Sequence, residues 1–278
     1  MSFVKVENIT FKYPDGTVAV ENVSFEIDKG EKVAIVGQNG AGKTTMVKLI
    51  NGLLKPSIGS VIVDSWNTKD YTTAKMSRKV GYVFQNPDDQ IFHNTVIDEV
   101  MFGPKKMGYS TEEMRALVKK AIVVTELDKY IDENPYNLPY SIRKFVTIAA
   151  VISMGTEIII LDEPTAGQDM KGIKTLNKLI ETLHKEGKTV ITITHDMEFV
   201  VNNFDRVIVM AHKNVIEDGD KRSVFWKKDV LVESKLKQPH MSSLADKLNF
   251  GEKILFTNEL VENIENYKGS LSTRGVKK

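Results

Sequence analysis

The 278-residue chain has no cysteine, which excludes disulfide bridges and thiolate metal ligands and is compatible with a reducing compartment. It also lacks a surplus of charge, since 38 basic and 37 acidic side chains leave a formal +1. That balance offers no electrostatic footprint for nucleic acid, and none is expected as a partner. No apolar run reaches the roughly 18 residues needed to cross a bilayer. The opening stretch MSFVKVENITFKYPDG alternates apolar and polar residues, without the apolar centre of a secretory leader. Internal repeats and low-complexity tracts are missing too. A soluble chain is expected, one that would have to dock if it serves a membrane. What is present is 41% hydrophobic and 27% charged residues, the make-up of a folded protein. The length suits one large domain, or one domain with an appendage.

Residues 3–10 and 19–27 alternate and flank a turn at Pro14-Asp15-Gly16, which predicts an antiparallel hairpin. Short β-rich apolar runs follow at 33–36, 80–84, 158–161, 190–194 and 207–210. Bounded by polar loops and separated by helical stretches, they predict an α/β fold with a largely parallel, doubly covered sheet. The long interval between the second and third runs has helical periodicity and reads as a helical insertion, at about 86–155. Its clearest helix starts at Ser110, where S-T-E-E forms a capping box with Glu113, and Met114, Leu117, Ala121 and Val124 share a face. After about residue 219 the pattern turns to short, lysine-rich segments. The expected division is therefore 1–220 and a small C-terminal appendage, 221–278.

GQNGAGKTT, Gly37 to Thr45, fits G-x-x-x-x-G-K-[ST], follows an apolar strand and leads into a helical run. Glycines let successive backbone N–H groups face a phosphate, and the helix N-terminus favours anionic oxygen. Gly37, Gln38, Asn39, Gly40, Ala41, Gly42, Lys43, Thr44 and Thr45 are thus the expected nucleotide cradle. Lys43 can bridge β- and γ-phosphates, and the Thr44 hydroxyl can ligate Mg²⁺. In EIIILDEPTAGQD, a buried-strand pattern ends in Asp162-Glu163. Asp162 is placed to hold Mg²⁺ through water, and Glu163 to orient or deprotonate the attacking water. His195, at the end of another core strand, could contact a γ-phosphate.

These motifs resemble the ATP-binding subunit of an ABC transporter over roughly residues 3–220. The resemblance implies a P-loop NTPase core with an antiparallel β subdomain and helical insertion, binding ATP and Mg²⁺. It makes residues 37–45 Walker A, 158–163 Walker B, 166–169 the D-loop and His195 the switch histidine. VGYVFQNPDDQIF resembles the Q-loop, giving Gln85 as Mg²⁺ ligand and interdomain sensor; Asp88, Asp89 and Gln90 are candidates for a membrane-subunit contact, with a solvated loop the plainer role for the two aspartates. Tyr13 corresponds to the aromatic that stacks on adenine. Gln168 stands where leucine is usual. FQNPDDQIF, FGP at 102–104 and LDEPTAGQD narrow the likeness to the ATPases of energy-coupling-factor importers of vitamins and, in related systems, cobalt or nickel ions. That implies a peripheral subunit at the cytoplasmic face of the cell membrane. Its implied partners are a second ATPase, a transmembrane coupling subunit and a substrate-binding membrane subunit, with the C-terminal appendage assisting pairing.

One segment departs from the family. Aligning Val146-Thr147-Ile148-Ala149 with the tail after the signature sets Leu138, Pro139, Tyr140, Ser141 and Ile142 against L-S-G-G-Q. Pro139 supplies neither a hydroxyl nor an N–H, and Tyr140 is bulky where backbone must come close. Losing one preorganised donor to developing phosphate charge costs on the order of 100- to 1000-fold in rate. The site this segment would complete on a neighbour is expected to be near silent. Two alternatives stay open at this level: a two-residue slip placing Ser141 in the serine's position, and a plain capping role with Ser141 as N-cap. The implied assembly is a heterodimer in which Asp169 and residues 138–142 face the second ATPase. A scaffold subunit whose own turnover is dispensable is the alternative, weakened by intact Glu163 and His195. A non-transport role on ribosomes or DNA is disfavoured by the single ATPase unit and neutral charge.

Overall fold

The structure is a computed structural model that describes residues 2–250 and 253–274; residues 251–252 and 275–278 of the expected appendage lie outside the described residues. One sheet joins β1 (Ser2–Lys12), β2 (Val18–Asp28), β4 (Ile58–Val63) and β5 (Trp66–Asn67), in the order β2-β1-β4-β5. All of its pairings are antiparallel. The hairpin expected from alternation is present, closed by the Tyr13 N–H donating to Thr17 O at 2.9 Å.

The second sheet joins β3 (Lys32–Val36), β6 (Val80–Val83), β7 (Ile158–Asp162), β8 (Thr189–Ile193), β9 (Arg206–Ala211) and β10 (Asn214–Asp220), in the order β10-β9-β3-β8-β7-β6. Its pairings are parallel except for β10, which closes one edge antiparallel to β9. Successive residues serve opposite faces, which is why its strands read as unbroken apolar runs. Val33 and Ile35 pack toward the first sheet and α1 (Lys43–Ile50), with Met46, Leu49 and Ile50. Ala34 and Val36 pack on the other side, among the remaining helices.

A single turn, α2 (Thr73–Met76), precedes β6. Between β6 and β7 run α3 (Val96–Met107), α4 (Thr111–Val124) and α5 (Tyr140–Ile152). The capping box at α4 is present as expected, with the Glu113 N–H donating to Ser110 Oγ and Glu113 Oε2 accepting from the Ser110 N–H at 2.9 Å. Its buried face is completed by Val118 and Ile122, one residue round from the expected stripe. α5 is buried on most sides, with Phe145, Val146, Ile148, Ala149, Val151 and Ile152 in the core. α6 (Met170–Lys185) and α7 (Met197–Asn203) link β7 to β8 and β8 to β9.

After β10 the chain is helical: α8 (Lys221–Phe225), α9 (Lys228–Glu233), α10 (His240–Lys247) and α11 (Thr257–Arg274). Ala245, Ile254 and Leu260 form a small cluster of their own with Trp226 against it. The Trp226 indole N–H donates to Ile254 O at 3.0 Å, and Arg222 grips Glu259 with two nitrogens at 2.6 and 3.0 Å. Val224 and Phe225 meanwhile sit in the main core. Among the described residues no helix is long and apolar enough to cross a membrane.

Candidate functional site

The C-terminal ends of β3, β7 and β8 deliver their loops to one cleft of about 330 Å³. It is lined by Asn39, Gly40, Gly42, Lys43, Thr44 and Thr45 from the phosphate loop, Gln85 after β6, and Asp162 and Glu163 after β7. Tyr13 lies at its rim from the first sheet. A crevice outside the carboxyl ends of parallel strands is where open α/β sheets bind ligands. Gly37, Gln38 and Ala41 do not line the cleft; Ala41 is buried. Gly37 has φ 148, and a Cβ there would fall 2.1 Å from Met210 O of β9, so no other residue fits the approach.

α1 starts at Lys43 with Gly42 as N-cap and no side-chain cap, leaving its first N–H groups directed into the cleft mouth. The Lys43 ammonium donates to Gly37 O at 2.7 Å and Gln38 O at 2.9 Å. Burial lowers its pKa, opposed by the carboxylates of Glu163 and Asp162. The Tyr13 hydroxyl lies 3.0 Å from Thr45 Oγ1, and its ring meets Phe11 edge-on at 5.0 Å, so the aromatic is fixed beside the loop.

Asp162, 1% exposed, ends β7 and accepts a hydrogen bond from the Tyr82 hydroxyl at 2.8 Å. Burial raises the pKa of Asp162, and burial with the adjacent Asp162 charge raises that of Tyr82. Glu163 takes a left-handed backbone, φ 47, unusual for a non-glycine residue. Its N–H donates to Ile193 O of β8 at 2.8 Å. His195 Nδ1 comes within 2.9 Å of Glu163 Oε2 without hydrogen-bond alignment, so that buried oxygen has no hydrogen-bond partner among the described residues. His195 itself is 74% exposed.

Residues 138–142 do not reach this cleft. Leu138 is buried, Pro139 and Tyr140 are exposed, and Ser141 and Ile142 are half-buried at the start of α5. The capping alternative is overturned: α5 is capped by Pro139, whose carbonyl accepts from the N–H groups of Ile142 and Arg143, and Ser141 lies inside the first turn. Proline suits the position because its ring fixes φ while its missing N–H is not needed there. The segment is bound by its own chain. The Tyr140 ring covers Gly167, and Gln168 Nε2 donates to Ser141 O at 3.1 Å. Asp169 caps α6 by accepting from the Gly172 N–H at 2.8 Å.

Of the Q-loop polar residues, Asp88 pairs with Arg143 at 2.9 Å. Gln90 braces the loop internally, accepting from Phe84 N–H and donating to Tyr82 O. Sequence reasoning missed Tyr82, Lys213, which lines the cleft from the β9–β10 turn, and Lys144. Lys144 is fully buried, its ammonium bound to the carbonyls of Gln85 and Glu163. Burial lowers its pKa to about 8 against the pull of Glu163 and Asp162. The available signal was its place on the stripe shared with Ile148 and Ile152, where a charge is out of keeping.

Comparison with known proteins bears on this arrangement. The ABC transporter family model matches residues 20–166. A putative ABC transporter ATP-binding protein of Pyrococcus furiosus is 43% identical over 78% of this chain and 83% of its own length. The chain belongs to the ABC transporter ATPases. An energy-coupling factor transporter ATP-binding protein, EcfA, of Methanosphaera stadtmanae is 36% identical over 92% of this ABC ATPase and 93% of its own length. The structure of CbiO1 from Clostridium perfringens, described as part of the ABC transporter complex CbiONQ, superposes with TM-score 0.75. It has 36% identity and covers 88% of this ABC ATPase and 99% of CbiO1.

Proposed function

We propose that this ABC ATPase powers an importer of the energy-coupling-factor type and does so paired with a different ATPase. The observation that carries the reading is a division within the chain. Tyr13, Lys43, Thr44, Gln85, Asp162 and Glu163 line one cleft, while the segment owed to a neighbour begins Leu138-Pro139-Tyr140 and is held by its own D-loop. The relatives named EcfA and CbiO1 support the energy-coupling-factor type; vitamins or transition-metal ions are the class of solute proposed with it.

ATP would enter with its phosphates at the α1 N-terminus and its base toward Tyr13. Thr44, Gln85 and Asp162 offer the oxygen donors that Mg²⁺ prefers, and the buried Asp162 carboxylate gains from a nearby cation. The chemistry supplied by bound Mg²⁺ is neutralisation of charge on the phosphates. Lys43 adds to it, Glu163 uses the carboxylate oxygen that lacks a hydrogen-bond partner to orient and deprotonate water, and the exposed His195, 2.9 Å from that oxygen, holds the γ-phosphate. A partner's intact signature completes this site. The partner's nucleotide instead meets Pro139 and Tyr140 and turns over slowly. The subunit docks peripherally on membrane subunits at the cytoplasmic face, and residues from about 221 onward assist pairing.

The test is ATPase activity of the purified chain alone and of the complex recovered from membranes. Activity confined to a complex containing a second ATPase, and abolished by Glu163→Gln, is expected. Robust turnover by the chain alone overturns the heterodimer.

A further inference from the structure

β6 and β7 run in parallel register as far as the pair Val83 and Leu161, and then part. Gln85 and Glu163 each lie two residues beyond that last pair, where the sheet opens into the cleft. The gap is bridged from below. Lys144, in the second turn of α5, sends its ammonium between the two loops and donates to Gln85 O at 2.9 Å and to Glu163 O.

An ammonium with no exposure and no carboxylate within ion-pair distance among the described residues is an expensive way to fill space. A methionine or leucine of similar volume would pack there without that desolvation cost. What a hydrophobic residue could not do is satisfy the two carbonyls. One of them belongs to the residue with the strained backbone. Glu163 holds φ 47 because its N–H is fixed to Ile193 O and its carbonyl is fixed by Lys144, with the Ala166 N–H a longer 3.3 Å away. Such conformations persist only where the surroundings over-determine them. Tyr140, one turn earlier on the same helix, places its hydroxyl 3.4 Å from Gln85 O.

We propose that Lys144 is a positioning residue for hydrolysis: it ties the main chain of Gln85 and Glu163 to α5, thereby aiming the Glu163 carboxylate and keying that aim to the position of the helix. The proposal rests on the reading of Glu163 as the group that handles water. In the paired assembly the start of α5 faces the other nucleotide. Displacement of that helix would reach Glu163 through one side chain, within the same subunit.

The experiment uses the complex purified from membranes with Lys144→Met, Glu163→Gln and the double variant, measuring steady-state and single-turnover hydrolysis. Lys144→Met is expected to lower kcat at least about 10-fold while leaving KM for ATP within about twofold, the pattern of a transition-state loss. In the Glu163→Gln background it should cost almost nothing further, because the group it aims is gone. Unchanged kcat overturns the proposal. So does a fall in kcat accompanied by weaker ATP binding and a lower melting temperature, which would mark mere structural support. An undiminished second loss in the double variant overturns it as well. The Glu163 assignment is judged separately: wild-type turnover by Glu163→Gln alone would sink that reading and, with it, the aim assigned to Lys144.

Discussion

The Tyr82 hydroxyl donates to Asp162 Oδ2 at 2.8 Å, so the strand beside β7 steadies the acid at the tip of β7. Both groups are buried. Tyr82→Phe removes that donor and leaves a buried carboxylate oxygen short of a partner, which costs about 1–3 kcal/mol of stability. It also frees the side chain expected to face Mg²⁺. The Mg²⁺ concentration for half-maximal ATPase activity should rise about 10- to 100-fold, as for other outer-shell partners of metal ligands. An unchanged Mg²⁺ titration would show that Asp162 needs no orientation from Tyr82.

Restoring the family's signature is a direct reversal. Pro139→Ser, Tyr140→Gly, Ser141→Gly and Ile142→Gln together would return donors to the site lent to a neighbour. Turnover by the isolated chain at high concentration should increase on the order of 100-fold, the contribution of one or more phosphate donors. If the quadruple variant folds, binds ATP and still hydrolyses no faster, the altered signature is not what limits this chain's own pairings.

Gly167 and Tyr140 can be separated by a pair of substitutions. Gly167 has φ 73, and a Cβ there would lie 2.8 Å from the Tyr140 ring. Gly167→Ala therefore meets two penalties, backbone and steric, and should destabilise by about 1–3 kcal/mol. Tyr140→Ala in the same chain should recover the steric share and leave the backbone share. Additive losses in chemical denaturation would contradict the contact.

Acid should loosen the C-terminal helices before the core. The hydrogen bonds from Arg222 hold the Glu259 pKa down to about 2 from its usual 4.5. A depressed carboxylate stabilises above its unfolded pKa and loses that contribution as pH falls toward its folded value. The window is thus pH 4.5 down to 2, with a modest effect because the pair is partly exposed and screened by salt. Trp226, bonded to Ile254 O, reports it in a Trp66→Phe background. Its emission should shift before far-UV circular dichroism is lost, and Glu259→Gln should abolish that early step.

The sequence was most informative where period and chemistry coincide. The phosphate loop follows an apolar strand, and the acid pair ends another, so the cleft's two principal walls could be read directly. β4, β5 and β10 were not read: β4 contains a glycine, β5 has two residues, and the acids of β10 break alternation. The cap of α5 was legible only as an alternative at Ser141, because serine is a common N-cap, whereas Pro139 fixes the helix start by its backbone alone. Lys144 stayed hidden for another reason. A lysine in a helix is ordinarily solvated, and only tertiary packing reveals that this one ends on two carbonyls from distant loops.

Gly37 against Met210 has a consequence for how nucleotide is recognised. The first turn of the phosphate loop is wedged under a strand, so its shape is decided when the sheet forms. The conformational entropy of that turn is spent in folding and does not recur as a tax on affinity each time ATP arrives. A side chain introduced at Gly37 would accordingly reveal itself first as a protein that fails to accumulate, and only then as one that fails to bind.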